Sequence, residues 1–114
     1  ATASLIAELR KAGYRLYVLS NMSLDFIEFL RRKEVYALFD GEVVSCEEGV
    51  IKPEAEIYHR LERRYGLQPA ETLFIDDRKA NVEAAEALGW SGYHFDARAV
   101  ERSCEELAAM LLAE

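Results

Sequence analysis

Five polar residues, grouped in three places along the chain, are of types that can handle phosphate and a metal ion. Ser20 and Asn21 directly follow the apolar run YRLYVL, Lys52 directly precedes a proline, and Asp76 and Asp77 directly follow the apolar run TLFI. A hydroxyl, an amide, an ammonium group and a carboxylate pair can together supply the positioning and charge neutralisation that dominate phosphoryl transfer.

The acidic pair is the most informative of the three clusters. Adjacent carboxylates repel each other, and directly after a buried strand they need a counter-charge. Capping of the following helix would explain one of the two carboxylates but not both. A hard divalent cation such as Mg²⁺, which prefers carboxylate and phosphate oxygens, would account for Asp76 and Asp77 together.

The other two clusters each have a structural alternative. Ser20 and Asn21 are residue types favoured at helix caps, but they can also bind an anion together with the N–H groups of a helix start. Lys52 can be an exposed lysine at a helix start. However, a cation is unfavourable at the positive end of a helix dipole, so we expect Lys52 to have a negative partner.

Short apolar strands alternate with amphipathic helices along the chain. Strands are predicted at 14–19, 42–45, 72–75 and 90–95. The predicted helices comprise one around Leu5 and Leu9, one capped by Ser23 with Phe26, Ile27 and Leu30 on its apolar face, one opened by Lys52-Pro53 with proline in its first turn, and two at 81–88 and 100–112.

This alternation predicts right-handed crossovers and a parallel sheet that is covered on both faces. We therefore expect a single α/β domain over residues 1–114, a Rossmann-like three-layer sandwich or part of one. In such folds the chemistry collects at the carboxyl ends of the strands. Ser20-Asn21 and Asp76-Asp77 stand at two of those ends.

The composition narrows the class of partner. The formal net charge of -7 offers no basic stripe, which argues against nucleic-acid binding. No apolar run approaches the roughly 20 residues of a membrane span, and no signal peptide is predicted, so we expect no membrane partner and a cytoplasmic location. Cys46 and Cys104 are predicted to be reduced thiols.

Three segments resemble motifs of the haloacid dehalogenase-like superfamily, in the family's order. YRLYVLSN resembles the second motif, IKPEAEIYHRL the third and LFIDDRKANVEAAEALGW the fourth, and together they cover almost the whole chain. The residues of these segments are most similar to those of the phosphatase branch that contains α-glucose-1-phosphatase and the phosphatase domain of epoxide hydrolases.

The resemblance implies a role for each residue of the three clusters. Ser20 and Asn21 would hydrogen-bond the transferring phosphoryl group, and Lys52 would steady the charge on the nucleophile and the phosphoryl oxygens. Asp77, with Asp76 beside it, would bind Mg²⁺.

The resemblance also assigns Asn81, which would orient the metal-binding loop, and it implies that the reaction is hydrolysis of a small, sugar-phosphate-like phosphomonoester. Two alternatives remain open. A C–halogen dehalogenase of the same superfamily needs no metal and typically carries Ser-x-Asn in place of the acidic pair. A non-catalytic fragment or pseudoenzyme would bind phosphate or a partner.

The family's first motif, Asp-x-Asp-x-Thr/Val, does not occur ahead of Ser20. In the family its first Asp becomes an aspartyl-phosphate and its second acts as general acid and base. The segment Phe39-Asp40-Gly41-Glu42 imitates the motif, but it follows the second motif, so we reject it. We expect this chain to be the C-terminal part of a larger catalytic core, inactive alone, with an unpaired sheet edge through which it could associate.

Overall fold

The computed structural model describes residues 2–21, 28 and 31–112. Within them the helices and strands alternate, with single 3-10 turns at Glu34–Leu38 and Pro69–Glu71. In chain order the elements are α1 (Thr2–Lys11), β1 (Tyr17–Ser20), β2 (Gly41–Val44), α2 (Ser45–Glu48), α3 (Ala55–Tyr65), β3 (Leu73–Asp76), α4 (Lys79–Ala87), β4 (Ser91–His94) and α5 (Val100–Leu111).

The four strands pair in parallel, as predicted. In β1 and β2, Tyr17 lies opposite Gly41, and in β3 and β4, Leu73 lies opposite Ser91. The described strands nevertheless form two sheets of two strands rather than one continuous sheet, because β1 and β3 each have a hydrogen-bonded strand on one side only.

Two apolar clusters show that both sheets belong to one middle layer. The cluster on one face joins residues of β1, β2 and β3 to α3 and α4, and its members are Leu19, Val43, Ile57, Tyr58, Leu61, Phe74, Val82, Ala85 and Trp90. On the other face, Leu5 and Leu9 of α1 pack with Cys104 and Leu107 of α5. The Rossmann-like three-layer α/β sandwich is therefore confirmed.

Helix α3 forms the centre of the first cluster. Its Ile57, Tyr58 and Leu61 are buried on one face, as their helical spacing predicted, and the left-handed Gly66 ends it. The Tyr58 ring packs edge-on against Phe74 and Trp90, with centroids 5.5 Å apart in both cases. At the end of α3, Tyr65 lies so close to Gly41 that a Cβ on Gly41 would overlap its ring.

The start of α3 differs from the prediction. The helix begins at Ala55, and Lys52-Pro53, joined by a cis peptide bond, lies in the turn ahead of it. That turn is closed by the Glu54 N–H, which donates to the Ile51 carbonyl at 2.8 Å. Pro53 is therefore not in the first helical turn, and the prediction that Lys52-Pro53 opens the helix was wrong.

The other boundaries lie within about three residues of their predicted positions. The helix predicted from Ser23, Phe26, Ile27 and Leu30 falls outside the described residues. In the part of the chain that the structure describes, none of the helices has the length and apolar character to cross a bilayer. Cys46 and Cys104 are both free thiols, as predicted.

Candidate active site

A cleft of about 630 Å³ opens at the carboxyl ends of β1 and β3. It brings together the six residues that the sequence assigned to the site, although they are spread over 62 positions of the chain. The lining includes Ser20, Asn21, Lys52, Asp76, Asp77 and Asn81, together with Thr2, Ile75, Arg78, Phe95 and Ala97. The predicted gathering at the sheet edge is confirmed.

A short, largely buried ion pair in the cleft joins Lys52 to Asp76. The Lys52 Nζ donates to Asp76 Oδ2 at 2.6 Å, and only 9% and 7% of the two side chains are exposed. The ammonium group also stands 5.5 Å from the centroid of the Phe74 ring. The predicted negative partner of Lys52 is therefore confirmed, and the charges of this pair balance in a largely dry position.

Asp76 is saturated by neighbouring donors. In addition to Lys52, Asp76 Oδ2 accepts from Asn81 Nδ2 at 3.3 Å, and Oδ1 accepts from the Arg78 backbone N–H at 2.8 Å. Burial by itself would raise the pKa of Asp76, but the hydrogen bonds from Lys52 and Arg78 outweigh it and hold the pKa below its ordinary value. Asp76 is thus an ionised carboxylate whose charge is already compensated.

The side chain of Asp77 has different surroundings from that of Asp76. Its side chain is exposed at the cleft and accepts no hydrogen bond from any of the described residues. Only its backbone is held, through a 2.9 Å hydrogen bond between its carbonyl and His94 Nε2 at the end of β4. The two carboxylates therefore differ in kind, and Asp77 is the one whose oxygens remain available to a ligand.

Asn81, near the start of α4, ties the acidic loop to the core. Its side chain is buried and donates to Asp76, while its carbonyl accepts a 2.7 Å hydrogen bond from the Tyr58 hydroxyl. Burial, and then the charge of Asp76, raise the pKa of Tyr58 to about 12. These contacts are what the predicted loop-orienting role of Asn81 requires. The polar roles of Tyr58 and His94 were not predicted.

The side-chain amide of Asn21 makes its hydrogen bonds within the protein, to the backbone of Lys52. Its Nδ2 donates to the Lys52 carbonyl at 3.1 Å, and its Oδ1 accepts from the Lys52 backbone N–H at 2.8 Å. Ser20, the last residue of β1, lines the cleft beside it and is half-buried. The prediction that Ser20 and Asn21 bind the phosphoryl group remains a prediction.

Asp40 lies at the other end of the sheet. It precedes β2, so it stands at the amino end of the parallel pair, where it accepts from the Leu16 N–H and from Arg10 Nη1, both at 2.7 Å. The Leu16 amide and then Arg10 lower the pKa of Asp40. This placement supports the prediction that the 39–42 segment is not the nucleophile motif.

The donor set of the cleft fits part of a Mg²⁺ site. Among the described residues, no group of three or more His, Cys, Asp or Glu side chains is arranged so that it could hold a metal ion. Mg²⁺ is nevertheless commonly held by one or two carboxylates, with water and phosphate oxygens completing the octahedron. The available carboxylate of Asp77, beside the compensated Asp76, fits one part of such a site.

Comparison with known proteins identifies the family. The model of the haloacid dehalogenase-like hydrolases matches residues 1–89, and the chain belongs to this family. The resemblance seen in the three motifs is thereby confirmed.

Individual relatives agree with this assignment. The chain is 37% identical over 92 residues to a sesquiterpene phosphatase of Aspergillus oryzae, covering 80% of this chain and 47% of that protein. It is 30% identical over 91 residues to bifunctional epoxide hydrolase 2 of Rattus norvegicus, covering 73% of this chain and 16% of that protein.

A solved structure shows the same fold. A HAD family enzyme of Bacteroides thetaiotaomicron, in complex with magnesium and inorganic phosphate, aligns with a TM-score of 0.77 at 31% identity. The alignment covers 84% of this chain and 52% of that enzyme. The chain thus spans about half, or less, of the length of these relatives.

Proposed function

We propose that this chain is part of a Mg²⁺-dependent phosphatase that hydrolyses a small, sugar-phosphate-like phosphomonoester through an aspartyl-phosphate. The observation that carries the proposal is that two adjacent carboxylates have different environments. Asp76 is neutralised by Lys52, and Asp77 faces the cleft with its oxygens available. Membership of the haloacid dehalogenase-like hydrolases and the similarity to the sesquiterpene phosphatase support the same function.

Each residue of the cleft has a part in this proposal. The Ser20 hydroxyl, at the end of β1, donates to a phosphoryl oxygen, and the Lys52 ammonium stabilises negative charge on the phosphoryl group. Asp77 holds the metal, which supplies charge neutralisation when bound. Asp76 and Asn81 keep Lys52 and the acidic loop in place.

The nucleophile has to come from elsewhere in the protein. Among the described residues that line the cleft, Asp76 and Asp77 are the only carboxylates. Asp76 is paired with Lys52 and Asp77 is assigned to the metal, so neither is free to act as the nucleophile. Within the described residues β1 and β3 each have an unpaired edge, and residues at their carboxyl ends line the cleft. We therefore propose that a further strand pairs there and delivers the nucleophilic aspartate. On this proposal, the chain alone is inactive.

Two alternatives, a dehalogenase and a non-catalytic protein, are distinguished from the phosphatase by Asp77 and by the missing first motif. A dehalogenase needs no metal ligand, so the exposed carboxylate of Asp77 favours the phosphatase. The absence of Asp-x-Asp ahead of Ser20 favours a non-catalytic role for these 114 residues taken alone. The acidic composition and the free thiols support a cytoplasmic protein that binds small metabolites rather than nucleic acid.

The test is a phosphatase assay of the intact protein against a panel of sugar and aryl phosphates, with and without Mg²⁺. We expect turnover that requires Mg²⁺ and falls by roughly a factor of 10³ or more in Asp77→Asn. The matched control is Asp40→Asn, which alters a carboxylate at the opposite end of the sheet and should keep full turnover. Full activity of Asp77→Asn would remove the metal assignment, and metal-independent release of halide from a haloacid would establish the dehalogenase.

A further inference from the structure

Asn21 and Lys52 are joined by two hydrogen bonds across 31 positions of the chain. The Asn21 side chain offers its Nδ2 to the Lys52 carbonyl and its Oδ1 to the Lys52 N–H, at 3.1 and 2.8 Å. The partners also fix the orientation of the amide, because the backbone N–H can only face the oxygen and the carbonyl can only face the NH₂ group. One side chain thereby satisfies both polar groups of the Lys52 backbone.

Lys52 is consequently held at both of its ends. Its backbone is fastened to the residue that follows β1, and its ammonium group is fastened to Asp76, the last residue of β3. These two strands belong to separate two-stranded sheets in the described part of the chain. Lys52 therefore bridges the sheets directly across the cleft.

We propose that Asn21 is a positioning residue whose role is to aim the Lys52 ammonium into the cleft. A lysine side chain has four rotatable carbon–carbon bonds and a strongly hydrated head, so its direction depends on a fixed backbone. Here the backbone belongs to a turn at 51–54 that has no strand partner of its own. The Asn21 amide supplies the two hydrogen bonds to the Lys52 backbone that a neighbouring strand would otherwise make.

This assignment differs from the direct contact with phosphate that the motif implies for Asn21. A direct ligand would act on the phosphoryl group whether or not a lysine is present. A positioning residue acts only through the Lys52 ammonium, so its effect should disappear when the ammonium is removed. The catalytic consequence depends on the proposed phosphatase function, whereas the contact between Asn21 and Lys52 does not.

The contact is tested by site-resolved hydrogen exchange on the intact protein. Asn21→Ala should lower the protection of the Lys52 amide roughly tenfold, since that amide loses its acceptor. The Ile51 amide is an internal reference, because it donates to Glu54 Oε1 at 2.9 Å rather than to Asn21. The matched variant Glu54→Ala should expose Ile51 and leave Lys52 protected. Unchanged protection of Lys52 in Asn21→Ala would overturn the proposal.

The positioning role is tested by a double-mutant cycle on the affinity for inorganic phosphate, measured by calorimetry. Asn21→Ala should weaken binding roughly 10-fold in the presence of Lys52, and Lys52→Met should weaken it at least as much. The double variant should then bind no more weakly than Lys52→Met alone. A further loss in the double variant would show that Asn21 binds phosphate directly, against the proposal. A protein that binds phosphate but turns over nothing would refute the proposed function and leave the cycle readable.

Discussion

The hydroxyl of Tyr58 donates a 2.7 Å hydrogen bond to the backbone carbonyl of Asn81 in the interior of the protein. Tyr58 lies on the buried face of α3 and Asn81 near the start of α4, so the bond connects the apolar cluster to the loop that carries the acidic pair. The position of Asp76 and Asp77 therefore depends on a residue that the pattern of apolar side chains marks only as core.

Replacing Tyr58 with Phe should separate its polar role from its packing role. The ring contacts with Phe74 and Trp90 would remain, but a buried carbonyl would lose its donor, at a cost of about 1–3 kcal/mol in the free energy of unfolding. Urea denaturation measures this loss. Tyr14→Phe is the matched control, because its hydroxyl bonds the Leu111 carbonyl at an exposed site, and its effect should stay within about 0.5 kcal/mol. Equal losses in the two variants would contradict the importance of the buried bond.

Asp76→Asn should destabilise the protein through Lys52. The variant removes one charge of a pair whose side chains are almost wholly buried, so that the ammonium group is left without its counter-ion. Such changes lower the free energy of unfolding by about 3 kcal/mol. Arg102→Gln breaks the exposed pair with Asp96 and should change stability by less than about 1 kcal/mol.

Combining Asp76→Asn with Lys52→Met supplies the internal check on this prediction. Because the double variant has no uncompensated cation, it should recover part of the stability that Asp76→Asn loses. A double variant that is less stable than both single variants would show that the pair is not the source of the loss.

Asp40 gives an expectation for the pH dependence of stability. Its pKa is lowered in the folded state by the Leu16 amide and then by Arg10. A depressed pKa contributes stability that is present above the unfolded value of about 3.9 and is lost as the pH falls through the folded value. Asp40→Asn should therefore reduce the loss of stability on acidification below about pH 4, measured as the urea midpoint against pH.

Arg10→Met is the matched variant for Asp40. It removes the salt bridge to Asp40 and leaves the hydrogen bond from the Leu16 amide, so its acid sensitivity should lie between those of the parent and Asp40→Asn. An Asp40→Asn variant with the same acid sensitivity as the parent would show that Asp40 titrates alike in the folded and unfolded states.

The 114-residue chain should not hydrolyse phosphomonoesters when it is purified alone. In-line displacement needs a nucleophile aimed at phosphorus, and Asp40, the acid of the imitating segment, lies at the amino end of β2, away from the cleft. The assay uses the isolated chain with Mg²⁺ and generic aryl and sugar phosphates. Turnover of roughly 1 s⁻¹ that disappears in Asp40→Asn would reverse the assignment.

The isolated chain should also associate, because β1 and β3 have unpaired edges within the described residues. Size-exclusion chromatography and light scattering over a range of concentrations measure this. A strictly monomeric chain would indicate that the edges are covered by another segment.

Much of the site could be predicted because its residues follow strand ends. Apolar runs place Ser20 and Asp76 at the carboxyl ends of parallel strands, and charge balance predicts a negative partner for Lys52. The difference between Asp76 and Asp77 could not be predicted. It depends on which carboxylate points toward Lys52, and that contact joins residues 24 positions apart in the chain.

The parts that the sequence did not reveal are long-range bonds between unlike groups. The contact of Asn21 with the Lys52 backbone and that of His94 with the Asp77 carbonyl involve backbone atoms, which every residue has and which leave no pattern in the sequence. The turn at Lys52-Pro53 was predicted as helix, because proline is favoured in a first helical turn as well as in tight turns.

The close approach of Tyr65 to Gly41 restricts how the sequence of this protein can diverge. Any side chain at position 41 would displace the Tyr65 ring, whose hydroxyl accepts the Glu42 N–H at 2.8 Å at the start of β2. A larger residue at 41 is therefore compatible with the fold only when position 65 shrinks in the same lineage. The two positions, 24 residues apart, should change together among homologous sequences, and their covariation would record a contact that neither position reveals by itself.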